Sequence, residues 1–156
     1  MSRNLQAELK QGRPFRSLRQ EAHLSIQRTA AILEHEFETA LKPYGITGTQ
    51  YNVLRILRGA GGHGLCRQEI IERMLRPVPD VTRLLDRLED TRLITRARGG
   101  QDRRFVTTTI TPAGLRLLAN LDPVVDEIHD RQLGHVDEGA LRSLVALLAR
   151  IRNIDS

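Results

Sequence analysis

The segment that most limits how this chain folds runs from Leu93 to Ile110. Leu93-Ile94-Thr95 and Phe105-Val106-Thr107-Thr108-Thr109-Ile110 are rich in β-branched residues, and the connection between them contains Gly99-Gly100. Branching at Cβ stiffens χ1 and suits a pleated surface, and paired glycines tolerate turn geometry, so the segment reads as a β-hairpin. Elsewhere the apolar residues recur at helical spacing. The pattern predicts a mainly α fold carrying one small β-hairpin.

The helices can be placed from their periodicity and their stop signals. A long first helix begins near Ser17, presents Leu24, Ile26, Ala30, Leu33, Phe37 and Leu41 on its apolar side, and ends before Pro43. Tyr44-Gly45-Ile46-Thr47 breaks the pattern, Thr47 caps the next helix, and Tyr51, Val53, Leu54, Ile56 and Leu57 bury it before Gly59-Ala60-Gly61-Gly62. A third helix is expected from Arg67 to Leu75 with Ile70, Ile71 and Met74 inward, followed by a sharp turn at Arg76-Pro77-Val78-Pro79. Then Val81, Leu84, Leu85 and Leu88 fall at i, i+3, i+4 and i+7, a narrow buried stripe on a short helix whose first turn suits Pro79. Its other side is polar: Thr82, Arg83, Asp86, Arg87 and Asp90. Two short helices joined by a tight turn form a helix-turn-helix or an ordinary helical hairpin. In the first case the second helix has the diameter to enter a DNA major groove.

Charge separates these readings. The net charge is +5, and of the 24 basic residues only Lys10 and Lys42 are lysine. Arginine offers a planar fork of donors suited to phosphate and to the guanine edge. Five arginines and one acid lie between Arg92 and Arg104, whereas from Leu121 to Glu138 six acids oppose only Arg131. A hairpin tip bearing Arg96, Arg98, Arg103 and Arg104 can reach past a docked helix into the neighbouring minor groove, so helix and hairpin together read as a winged helix-turn-helix.

What composition excludes narrows the rest. A length of 156 residues suits one domain of ordinary size. No apolar run approaches the ~18 residues of a membrane span, and the first residues lack the apolar core of a secretory signal, which places the chain in the cytoplasm with no membrane partner. The single cysteine, Cys66, forms no internal disulfide, and its redox role is open. His63-x-x-Cys66 lacks the further ligands of a metal site, no cofactor is implied, and no paired carboxylates, nucleophile elbow or phosphate-binding loop point to an enzyme.

The run Asp102-Arg103-Arg104-Phe105-Val106-Thr107-Thr108-Thr109-Ile110-Thr111-Pro112-Ala113-Gly114 resembles, without a gap, the wing pattern D-R-R-x-V-x-x-x-[LI]-T-x-x-G of the MarR (multiple antibiotic resistance regulator) family of bacterial transcription factors. Val81-Thr82-Arg83-Leu84-Leu85-Asp86-Arg87-Leu88-Glu89 is similar to that family's recognition helix, and Tyr44 to Tyr51 to the loop and helix start before it. The chain departs from the pattern at Leu75, Pro77 and Arg92, where members often carry glycine, serine and glycine; Arg92 thereby adds a candidate phosphate contact.

The resemblance implies residue roles. Arg104 is the minor-groove arginine, Asp102 braces the tip by a salt bridge, and Arg103 meets phosphate, with Arg98 beside them. Pro79, Asp80, Thr82, Arg83 and Arg87 lie nearest DNA on the recognition helix, Arg83 being the first candidate for a bidentate guanine contact. Arg67 and Gln68 are phosphate contacts. The implied organisation is residues 1–43 as arm and first helix for dimerisation, 44–112 as the DNA-binding lobe, and 113–156 as further dimerisation helices. Leucines and isoleucines from Leu115 to Leu121 and Leu141 to Ile154 supply the apolar surface of a homodimer, to which Leu5, Leu9, Phe15 and Leu18 are also expected to contribute. The implied function is a ligand-responsive repressor acting on a near-palindromic double-stranded operator. Its effector would be a small molecule of the phenolic or aromatic-carboxylate kind, whose binding residues no motif identifies. The rival reading is a winged-helix protein-interaction module without specific DNA binding.

Overall fold

The computed structural model describes residues 4–99 and 105–153. The chain divides into two compact units, Met1–Gly45 and Ile46–Ser156.

In the first unit, α1 (Leu5–Glu8) is a single turn capped by the Asn4 side chain. The sequence reading had not separated it. Helix α2 (Leu18–Leu41) starts where Ser17 Oγ accepts from Gln20 N at 3.1 Å, while the Gln20 side chain reaches back to accept from Arg16 N at 2.8 Å. Two of the donors that a helix N-terminus leaves without partners are thereby satisfied. The helix tightens into a 3-10 turn over Lys42–Tyr44 that includes Pro43. Gly45, at φ +71°, then takes the left-handed conformation that ends it.

The second unit begins with a full capping box. Thr47 Oγ1 accepts from Gln50 N at 3.2 Å, and Gln50 Oε1 accepts from Thr47 N at 2.9 Å. Helix α3 (Gly48–Ala60) follows, with Tyr51, Val53, Leu54 and Leu57 buried. After a 3-10 turn, Gly61–His63, come strand β1 (Leu65–Cys66), α4 (Arg67–Arg73), α5 (Val81–Asp90), β2 (Ile94–Arg98), β3 (Val106–Ile110), α6 (Pro112–Leu133) and α7 (Glu138–Arg152). The described strands form one antiparallel sheet in the order β1-β3-β2. In the expected hairpin Ile94 pairs with Ile110 and Arg98 with Val106.

Strand β1 was not expected. Two residues carry no periodicity, and its pairing of Leu65 with Thr108 and Cys66 with Thr107 depends on the preceding glycine. Gly64 has φ +67°, and a Cβ there would stand 2.6 Å from the Thr108 carbonyl oxygen. Only glycine lets this backbone approach β3 so closely.

The core of the unit gathers the fully buried Val53, Leu54, Leu57, Ile70, Leu88, Ile94, Leu118 and Leu121. Each such side chain contributes about 1.5–3 kcal/mol on leaving water. No residue of α7 is buried, and Leu144, Val145, Leu147 and Ile151 on it are exposed.

The exit of α5 is drawn tight. Leu93 N donates to Leu88 O at 3.0 Å and Arg92 N to Glu89 O at 2.8 Å, the paired bonds of a Schellman ending, with Arg92 at φ +61°. An arginine therefore occupies the left-handed position that glycine fills at least cost. The Thr111 hydroxyl donates to Arg92 O at 2.7 Å and Thr111 N to Leu93 O at 3.0 Å, and Thr111 Oγ1 accepts from Gly114 N to start α6. A Cβ on Gly114 would lie 2.4 Å from the Leu93 carbonyl oxygen.

Gly114→Ala is therefore expected to destabilise the protein by about 1–3 kcal/mol in urea denaturation, because backbone must shift to admit one methyl group. Arg92→Gly should act in the opposite direction, by roughly 0.5–1 kcal/mol, left-handed strain outweighing the entropy cost of glycine.

Candidate nucleic-acid interface

Helix α4 starts from a capping box in which Glu69 Oε2 accepts from Cys66 N at 2.8 Å. That bond with the Cys66 backbone holds the Glu69 carboxyl below the ordinary glutamate range. The helix ends at Arg73, two residues earlier than the sequence suggests. Met74 is already extended, at φ −68° and ψ 141°, and Leu75 N donates to Asn52 Oδ1 of α3 at 3.0 Å. This side-chain acceptor replaces the helical one. Ile71 and Leu75, the latter 85% exposed, are consequently not core residues.

The start of α5 also differs from expectation. Asp80 is the N-cap, its Oδ1 accepting from Arg83 N at 2.9 Å, and Val81 is the first helical residue. Pro79 thus lies before the cap instead of in the first turn. An aspartate at the N-cap satisfies an otherwise unpaired N–H and puts negative charge at the positive end of the helix.

From this start Val81, Leu85 and Leu88 point inward and are buried, whereas Thr82, Arg83, Asp86, Arg87 and Asp90 are exposed. Arg67 donates from Nη1 to Thr82 Oγ1 at 3.2 Å, joining the start of α4 to α5. Gln68 donates to Glu72 at 3.0 Å along its own helix. Among the described residues neither Arg83 nor Arg87 has an ion-pair partner.

Arg96 requires a correction. It belongs to the body of β2, paired with Thr108, and its guanidinium turns back onto α5 instead of extending from the tip. Nε and Nη2 donate to Glu89 Oε2 at 2.9 and 2.6 Å, Nη2 donates to Asp86 Oδ1 at 2.5 Å, and the Arg96 backbone N–H donates to Glu89 Oε1 at 3.0 Å. The side chain of Arg96 is only 23% exposed. The hydrogen bonds from Arg96 draw the Glu89 carboxyl below its usual range, and those with Glu89 and then Asp86 raise Arg96 further above the usual arginine range. Asp86 and Glu89 are three residues apart on one helical face, and that spacing beside an arginine-bearing strand was the overlooked signal.

Arg98 ends β2 and is exposed, and Gly99 N donates to Phe105 O at 2.9 Å beyond it. The expected minor-groove residues Asp102, Arg103 and Arg104 lie outside the described residues. A groove of about 360 Å³ separates the hairpin from the helices, bordered by Arg67 and Gln68 of α4, Thr82 of α5, Arg96, and the exposed Phe105. Of the expected site residues, the structure brings Arg67, Gln68 and Thr82 to one groove, places Arg83 and Arg87 outward on the adjoining helix, and uses the Asp80 carboxylate as a cap. Arg92, the other candidate phosphate contact, is exposed at the left-handed end of α5.

The model of the MarR family matches residues 44–104, a span that begins at the end of the first 3-10 turn and stops short of β3. The crystal structure of a MarR transcription factor from Planctomyces limnophilus is 38% identical, superposes with a TM-score of 0.69, and covers 87% of this chain and 98% of that one. The chain belongs to the MarR family. The HTH-type transcriptional regulator FarR of Neisseria gonorrhoeae is 28% identical over 146 residues, 90% of this chain and 97% of that protein. BpsR of Bordetella bronchiseptica, described for the regulation of its DNA binding by 6-hydroxynicotinic acid, shares the fold at 23% identity and a TM-score of 0.78, over 90% of this chain and 99% of that one. This MarR-family chain is accordingly a winged-helix protein related to transcriptional regulators. Among its described residues no helix is long and apolar enough to cross a membrane, and no three metal-binding side chains cluster.

The contact between Arg96 and Glu89 makes stability depend on pH in one direction. A carboxyl with a depressed folded-state pKa stabilises the fold above its unfolded value, about 4.3 for glutamate, and that contribution is lost as pH falls through the lower folded value. Denaturation of wild type, Arg96→Met, Glu89→Gln and the double variant should give a coupling of about 1 kcal/mol at pH 7, discounted for the partly exposed carboxylate. The coupling should shrink steadily below pH 4.3.

Proposed function

We propose that this chain is a sequence-specific double-stranded DNA-binding transcriptional regulator, acting as a homodimer on a near-palindromic operator and released by a small-molecule effector. The observation that carries the reading is the outward face of α5: among the described residues Arg83 and Arg87 have no ion-pair partner, on a helix fixed to the neighbouring hairpin through Arg96. A helix presenting free guanidinium forks suits the major groove, and Arg83 is assigned the base contact. Arg67, Gln68, Arg87, Arg92 and Arg98 are assigned to phosphates, Arg104 and Arg103 to the tip contacts, and Asp102 to bracing the tip. Pro79 and Asp80 shape the start of α5 and come near DNA with Thr82.

Residues 44–112 serve as the DNA-binding lobe, and residues 1–43 and 113–156 as the dimerisation parts. The exposed Leu144, Val145, Leu147 and Ile151 of α7 support this division, since a run of exposed aliphatic side chains on one helix marks an interaction surface. Dimerisation sets two recognition helices about 34 Å apart, one turn of DNA. The structural likeness to BpsR, whose DNA binding is regulated by 6-hydroxynicotinic acid, supports a small aromatic-carboxylate or phenolic effector that acts on DNA binding; the regulator is assigned as a repressor that the effector releases.

Fluorescence anisotropy against the DNA upstream of its own gene and against scrambled DNA, across a salt series, tests the reading. The native site should bind at least ~10³ tighter, and Arg83→Ala and Arg104→Ala should each cost ~1–3 kcal/mol. Equal binding to both DNAs across a genomic selection would leave a protein-interaction module instead. Independently, Val145→Asp combined with Leu147→Asp should convert a dimer to a folded monomer in sedimentation velocity, because both side chains are exposed within one chain.

A further inference from the structure

The Ile46–Ser156 unit holds a second cavity that shares no lining residue with the groove beside the hairpin. It is an open cleft of about 630 Å³, within the size range of small-molecule sites. Its apolar surface comes from Ile56 of α3, Leu65 of β1 and Leu75 of the helix-turn-helix turn, and its charge from Arg55 of α3 and Arg73 at the end of α4.

Both arginines are exposed, and among the described residues neither forms an ion pair. The acids nearest in the chain are otherwise engaged. Glu69 feels the charge of Arg73, but its Oε2 accepts the Cys66 N–H, and Glu72 accepts from Gln68. Arg55 stands over the Tyr51 ring at 6.0 Å from its centroid, at the outer limit of a cation–π contact, which leaves its N–H donors open. Leu75, 85% exposed, is held in place at its backbone by Asn52 Oδ1, so an apolar side chain stands beside two arginines that form no ion pair among the described residues.

We propose that this cleft binds an organic anion, its carboxylate or sulfonate between Arg55 and Arg73 and its apolar body against Ile56, Leu65 and Leu75. A neutral apolar molecule would leave both guanidinium groups without a counter-charge. Inorganic phosphate would leave the exposed Leu75 and the half-buried Ile56 wet. The combination selects an amphipathic anion, and charge-assisted bonds to arginine set its orientation.

Isothermal titration calorimetry of the full chain without DNA, using 2-naphthalenesulfonate as probe, tests the site separately from any operator. The expected result is one saturable site per chain, weakened about ten- to hundredfold in Arg55→Met and in Arg73→Met. The methionines keep the apolar bulk of the stems, and thermal melts verify folding. Arg116→Met, which removes the same charge from exposed α6 surface, should leave affinity unchanged. The neutral 2-naphthalenesulfonamide should bind at least tenfold more weakly. The proposal is overturned if the three variants weaken the probe equally, if Arg55→Met and Arg73→Met leave it unchanged, or if inorganic phosphate competes as well as the sulfonate.

Discussion

The guanidinium of Arg96 ties together two elements that the chain connects only through the turn at Thr91 to Leu93. Its bonds to Glu89 and Asp86, with the Arg96 N–H closing on the second Glu89 oxygen, fix the strand that leads to the hairpin tip against the helix that faces outward. A two-stranded ribbon on its own is barely stable, and one free to swing would present its arginines in many directions. Held at 2.5–2.9 Å through several donors, β2 keeps one position against α5. Recognition of a surface by helix and hairpin together requires that their relative position be set beforehand, since ordering it on binding would cost affinity.

The same economy governs the other crossings of the lobe. The Leu93 carbonyl accepts from Thr111 N and sits where a Gly114 side chain would otherwise be, so the exit from α5, the end of β3 and the start of α6 meet within a few ångströms. Gly64 allows a comparable approach of β1 to β3. At the far end of α3, Arg58 donates to both oxygens of Asp122 at 2.9–3.1 Å, fastening α3 to α6. Partly exposed bridges of this kind add little stability, but a bidentate geometry fixes an angle between helices.

Much of this was legible in the sequence, and the rest was hidden for identifiable reasons. Helical spacing located α2, α3 and α5, and cap residues located the starts of the first two, at Ser17 and Thr47. Two-residue β1 has too few side chains to show alternation. The end of α4 depends on Asn52, twenty-three positions away, which no local pattern reveals. Arg96 was assigned to the tip because arginine in a basic hairpin suggests DNA, whereas its side chain is spent on carboxylates of the preceding helix. Pro79 looked like a first-turn proline until Asp80 proved to be the cap. The wing pattern named the family, yet its Asp102-Arg103-Arg104 core lies outside the described residues, so those roles rest on resemblance.

Helix α6 grows directly out of that crossing at Thr111 and Gly114, and its 22 residues, with Pro123 inside the helix, extend about 33 Å. A helix of that length, rooted at one end, can serve as a lever. In the proposed homodimer, a tilt of about five degrees at one end displaces the other by roughly 3 Å over such a length. Under the proposed function, a modest adjustment where the subunits meet would be magnified at the DNA-facing surface, and an effector would have only to bias an angle to spoil the fit to two successive turns of DNA.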